Sequence, residues 1–146
     1  MSQKLLCPDA FLSPLEIDDA VNRALAEDLG RAGDVTSTAT IPEDARARAI
    51  VVARRAGTVA GLPLVAAAFR RLAPDIEITA HARDGAQVAT KTALMHVVGP
   101  ARAVLAAERV ALNLLGRLSG IAACNVVSSV ASIGGRILHL PPVEPA

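Results

Sequence analysis

Two kinds of apolar periodicity, each confined to its own stretches of the chain, predict an α+β fold. Apolar residues recur at threes and fours over 15–29, 64–72 and 101–118, the repeat of a helix with one buried face. They alternate over 45–52 and 76–81, the repeat of a half-buried strand. The third observation is composition. Of 146 residues 52% are apolar, enough for a buried core, but there are only two Phe and no Trp or Tyr. The predicted core is therefore aliphatic and short of large anchors. Area missing from such a core can be supplied by a partner surface.

The elements follow in order. Ser13-Pro14 opens the first helix, because serine caps free amides and proline is pre-set for the first helical position. Leu15, Ile17, Ala20, Val21, Ala24, Leu25 and Leu29 form its apolar face, and Gly30 stops it. Residues 33–38 read as a polar connection closed by Pro42. In 45–57, Arg46, Arg48, Ile50 and Val52 alternate with Ala45, Ala47, Ala49 and Val51, which predicts a strand. Thr58-Val59-Ala60 is placed beside it across a turn at Gly57.

Gly61-Leu62-Pro63 opens a second helix that ends at Pro74. Ile76, Ile78 and Ala80 mark a strand, and Asp84-Gly85 a turn. Gln87-Val88 and 93–98 are two more strands, and Gly99-Pro100 is expected to break the sheet. A helix then runs from Ala101 to about Leu118, Ser119-Gly120 interrupts it, and a further helix is expected over 121–132. Gly134-Gly135 turns the chain into a strand at 136–140.

Charge and composition exclude several functions. Net charge is +1 with the signs interleaved. With no basic stripe along the chain and almost no aromatic residue to stack on bases, nucleic-acid binding is not expected. No apolar run approaches the roughly 20 residues of a membrane span. The amino terminus has neither a secretory nor a transit pattern, so a cytoplasmic protein is expected. Cys7 and Cys124 lie far apart and are read as two reduced thiols. Neither GxGxxG nor GxxxxGK[ST] occurs, so no phosphate loop is predicted. Lys91 lies in a hairpin-like segment without the DKA or MKM setting of a lipoyl lysine.

Three groups of polar residues could carry chemistry. Arg102, Arg109, Asn113 and Arg117 fall on one face of the 101–118 helix, giving a cationic stripe. Arginine there can hold a carboxylate bidentately, or the stripe can be a solvated face with Glu108 as a local counter-charge. Glu27-Asp28 and Asp34 are carboxylates suited to acid–base work or, more simply, to solvation at a helix end. Thr36, Ser37 and Thr38 can cap or turn the chain. His81, His96 and His139 are scattered over separate strands, and nothing in their spacing gathers them into a metal site.

Several segments taken together resemble one family. EDLGRAGDVTSTATIPEDARARAIVVARRAGTVAGLP, residues 27–63, resembles the opening of quinolinate phosphoribosyltransferases, also called nicotinate-nucleotide pyrophosphorylases (carboxylating). DGAQVATKTALMHVVGPARAVLAAERVALNLLGRLSGIA, residues 84–122, resembles the part that follows, and AERVALNLLGRLSGIA is its most specific block.

The resemblance implies an amino-terminal α/β sandwich over 1–118 and the truncated start of a carboxy-terminal α/β barrel over 119–146. It implies a pentosyltransferase of NAD biosynthesis that joins quinolinate to phosphoribosyl pyrophosphate, giving nicotinate mononucleotide, pyrophosphate and CO2. It also implies a dimer or larger homo-oligomer in which one subunit's sandwich covers the other's barrel. Arg109 would then reach a neighbour's site and hold a quinolinate carboxylate. No cofactor is expected to be bound by this chain, and Mg2+ is expected with phosphoribosyl pyrophosphate in full-length members.

The end departs from the family pattern. After Arg136-Ile137-Leu138 the family continues Asp-Thr-Arg-Lys-Thr, whereas this sequence reads His139-Leu140-Pro141-Pro142-Val143. Cys124-Asn125 also strays from the usual Thr-rich continuation. A shifted reading frame or an early stop would produce such an ending. The expectation is a family member that is inactive alone, with no catalytic residue of its own. The alternatives are a non-catalytic association domain and a fragment of the related molybdenum-transport-associated family. Leu105, Leu112 and Leu115 are expected to leave an apolar patch that promotes association.

Overall fold

The computed structural model describes residues 12–122 in full and the backbone of residues 128–133 and 136–139. Helix α1 spans Pro14–Leu29. The Ser13 hydroxyl oxygen accepts from the Leu15 N–H, the Glu16 carboxylate accepts from the Ser13 N–H, and the two reciprocal contacts fix the start of the helix. Helix α2 spans Val35–Thr40, where a polar connection was predicted. Asp34 makes the difference: its carboxylate accepts from both the N–H and the hydroxyl of Ser37 and so caps this short helix.

Strand β1 is Arg46–Val52. It buries Ala47, Ala49 and Val51, as its alternation predicts. Strand β2 is Gly57–Thr58, helix α3 is Leu62–Leu72, and β3 is Glu77–Ala80. Strands β4 (Gln87–Val88) and β5 (Ala93–Pro100) lead into helix α4, Ala101–Ile121. Strands β6 and β7 are Ser128–Ile133 and Arg136–His139.

These strands form a five-stranded sheet in the order β3-β5-β1-β6-β7, every neighbouring pair antiparallel. Helix α4 packs against β1 and β5, α3 packs on α4, and α1 lies on α3 and α4. The core between sheet and helices is aliphatic around Phe69, with Leu62, Leu94, Met95 and Leu115 as its other large, fully buried members. No closed barrel is formed among the described residues.

Five local expectations are corrected. The 58–60 segment does not pair with β1; β2 pairs with β4, because the chain between Ala53 and Gly57 carries it off the main sheet. Gly99-Pro100 does not break the sheet: β5 runs through both, opposite Ala47 and Arg46. The close approach of Ile76 explains the glycine, since a Cβ at residue 99 would lie 2.6 Å from Ile76 Cγ1.

Ser119-Gly120 does not interrupt α4, which continues to Ile121. Residues 128–133 are strand, not helix, because the free edge of β1 takes their backbone hydrogen bonds. Lastly, Leu112 and Leu115 are buried, at 3% and 0% exposure, and only Leu105 of the expected apolar patch is even half-buried. The exposed large apolar residues are instead Leu12, Leu15, Val35 and Ile121.

Two long-range polar contacts hold α3 and α4 in place. Asp84, in the turn after β3, accepts from the N–H groups of Gly61 and Leu62, both at 2.9 Å, and so caps α3 from outside. Burial pushes the Asp84 carboxyl up from its ordinary value, and those two backbone donors pull the other way. Ser119, fully buried, accepts from the Ala60 N–H at 3.0 Å and donates to the Ala60 carbonyl at 3.1 Å. The serine read from sequence as a helix break is therefore the clasp between α4 and the segment that leads into α3.

Candidate functional site

Helix α4 carries the candidate site, and its register follows from its buried side. Val104, Ala107, Val110, Ala111, Leu112, Leu115 and Ser119 face the core. That leaves Arg102, Arg109, Asn113 and Arg117 on the outer arc, as their spacing of seven, four and four predicts.

The four residues have different surroundings. The Arg102 Nε–H donates to the Ile41 carbonyl at 2.8 Å. Ile41 is the C-cap of α2, so Arg102 places a cation at that helix's negative end and is held there. Arg109 is solvent-facing, its side chain 72% exposed. Its Nη1 lies 3.5 Å from Asp28 Oδ1, and the Asp28 side chain is 24% exposed. Asn113 is half-buried, and Arg117 is exposed without an ion pair to a described residue.

Asp28 lies in the last turn of α1, which has no basic residue of its own. Arg109 therefore brings a positive charge both to a carboxylate and to the negative end of the α1 dipole. At this distance and exposure the pair contributes at most about 1 kcal/mol. A guanidinium held this loosely can be given up to an incoming carboxylate.

Of the other carboxylates flagged in the sequence, Glu27 is exposed near the end of α1 and Asp34 does not join this group. Asp34 is occupied in capping α2. Thr38 and Thr40 turn back on their own helix, donating to the carbonyls of Asp34 and Thr36. Among the described residues no group of three or more His, Cys, Asp or Glu could hold a metal ion, so no magnesium site is assigned to them and no step is derived through one. The fold does gather two of the three histidines, which spacing alone did not predict: the rings of His81 and His96 have centroids 4.5 Å apart. The side chain of His139, and both cysteines, lie outside the described residues.

A groove of about 370 Å3 lies between α1 and α3, lined in part by Ile17, Val21, Ala66, Arg70 and Arg71. It includes none of the outer-arc residues of α4. No helix among the described residues is long and apolar enough to cross a membrane.

The architecture, one layer of helices on an antiparallel sheet with a cationic arc on its longest helix, defines an α+β domain that presents arginine on its outer surface. The family described as "Quinolinate phosphoribosyl transferase, N-terminal domain" matches residues 34–119. The chain belongs to that family.

Among its relatives is a nicotinate-nucleotide pyrophosphorylase [carboxylating], chloroplastic, of Oryza sativa subsp. japonica. It is 35% identical over 130 residues, covering 89% of this chain and 35% of that protein. A probable nicotinate-nucleotide pyrophosphorylase [carboxylating] of Synechocystis sp. is 42% identical over 106 residues, covering 73% and 35%. The crystal structure of NadC from Streptococcus pyogenes superposes with a TM-score of 0.73 at 30% identity, over 77% of this chain and 40% of that one. The chain thus spans roughly a third of the length of these curated relatives. The Oryza relative is named as chloroplastic and another, from Nicotiana glauca, as mitochondrial, so the likeness does not fix a compartment.

Proposed function

We propose that this chain serves as the arginine-donating domain of a quinolinate phosphoribosyltransferase. It associates as a homo-oligomer, and Arg109 holds a carboxylate of quinolinate in a neighbouring subunit's site. The observation that supports this most is the state of Arg109. It is the cation on the outer arc that is both exposed and kept in position by a weak, replaceable partner, Asp28. Arg102, by contrast, is committed to the Ile41 carbonyl.

The division at residue 118 belongs to the same proposal. Residues 119–146 correspond in it to the opening of the relatives' barrel, and here β6 takes the free edge of β1 while β7 pairs in turn with β6.

Glycosyl transfer from phosphoribosyl pyrophosphate needs charge placed around both the pyrophosphate and an oxocarbenium-like ribose. One guanidinium on one helix does not supply that. The 146-residue chain alone is therefore proposed to bind without catalysing, and Mg2+ to enter only with phosphoribosyl pyrophosphate in longer relatives. The cytoplasm remains the proposed compartment.

The test is an assay of the purified chain with quinolinate and phosphoribosyl pyrophosphate, following nicotinate mononucleotide. No product is expected. Turnover that disappears in Arg109→Ala would show that the chain contains a complete site and would overturn the non-catalytic half of the proposal. Quinolinate binding to a full-length homologue that is unaffected by the matching Arg→Ala change would overturn the other half.

A further inference from the structure

Strand β5 alternates between buried Met95 and Val97 and half-buried His96 and Val98. The buried pair faces the core under α4, so His96 projects from the opposite side of the sheet. Its antiparallel neighbours there are Thr79 on β3 and Ile50 on β1. His81 follows β3, and its N–H donates to the Leu94 carbonyl at 2.9 Å, which keeps the chain against β5 for two residues past Thr79. The result is a diagonal cross-strand pair: two imidazoles with centroids 4.5 Å apart and ring planes at 71°. One ring is exposed and the other half-buried.

We propose that His81 and His96 form a two-imidazole site for a borderline divalent cation, Zn2+ foremost, on the face of the sheet away from Arg109. A metal bound at about 2.0–2.1 Å by one nitrogen of each ring, with a ligand–metal–ligand angle between 90° and tetrahedral, sets the centroids about 4.5–5.2 Å apart. The observed separation falls at the lower end of that span.

Imidazole suits zinc, copper and nickel, whereas Mg2+ prefers oxygen donors. Two donors leave the remaining coordination positions to water or to a donor from another molecule. The preorganisation is in the backbone: Thr79 and His96 are in register, and the Leu94 carbonyl fixes the residue that carries the second ring.

The test is a titration of the full 146-residue chain with Zn2+ in a Cys7→Ser, Cys124→Ser background, since thiolates bind the same metals. Calorimetry and imidazole 15N spectra read it out. Saturation at one equivalent is expected, with the ring signals of His81 and His96 shifting together and that of His139 unmoved. His81→Gln and His96→Gln should each weaken binding roughly tenfold or more, in the range by which lesser changes around metal ligands already act. His81 is exposed, so its variant tests the site without touching the core. Absence of saturable binding, unchanged affinity in either variant, or a shift of His139 in place of the pair would each overturn the proposal.

Discussion

Replacing Ser119 with alanine should destabilise the chain although alanine is the better helix former. Helix propensity alone favours the substitution by a few tenths of a kcal/mol. Against this stands the clasp: the Ser119 hydroxyl meets the N–H and the carbonyl of Ala60 from a position with no solvent exposure. Alanine leaves that donor and that acceptor unmet. A buried polar group without a partner costs about 1–3 kcal/mol, and Ala60 is half-buried, so the lower end applies to each of the two.

The net expectation is a loss of about 2 kcal/mol, or about 4–8 °C in Tm for a chain of this size. The neighbouring residue supplies the internal control. A Cβ at Gly120 meets nothing within 4 Å, so Gly120→Ala should stabilise by about 0.5–1 kcal/mol. Urea titrations followed by circular dichroism measure both. Propensity alone predicts the same sign for the two variants, and the clasp predicts opposite signs. A Ser119→Ala chain as stable as the parent would refute the reasoning.

Three further outcomes are expected. Asp84→Asn keeps one acceptor and turns an amide toward the second backbone donor, so it should lose about 1–2 kcal/mol at neutral pH by chemical denaturation. Because the folded-state pKa of Asp84 is raised, the folded chain holds its proton longer than the unfolded one. Its contribution to stability is then full below the ordinary value of 3.8 and falls as pH rises through the raised folded value. Urea midpoints compared across that window should show this slope in the parent and not in the Asn variant. Gly61→Ala should cost about 1–3 kcal/mol in the same assay, since φ is +106° and the new Cβ would lie 2.8 Å from Leu118 Cδ1. Arg109→Ala should change stability by less than about 1 kcal/mol, yet weaken quinolinate binding by about 2–3 kcal/mol when placed in a full-length homologue and measured by calorimetry.

Local patterns were enough to place α1, α3, β1 and the first eighteen residues of α4, because each buries one face against the core and its period survives in the sequence. The cationic arc of α4 was legible for the same reason, and so was the family, through the AERVALNLLGRLSGIA block. Pairings between distant residues were not legible. That Asp84 caps α3, that Ser119 clasps Ala60, that Arg102 is committed to Ile41 while Arg109 is held only by Asp28, and that two histidines meet are contacts across 15 to 81 positions of chain.

Spacing encodes what shares a face of one element. Which elements lie side by side is decided by packing the aliphatic core around Phe69 and by the hydrogen bonds that the edges of the sheet must find. The same cause accounts for the helix expected over 121–132: residues 128–133 have a sequence compatible with helix, and their strand conformation comes from the open edge of β1.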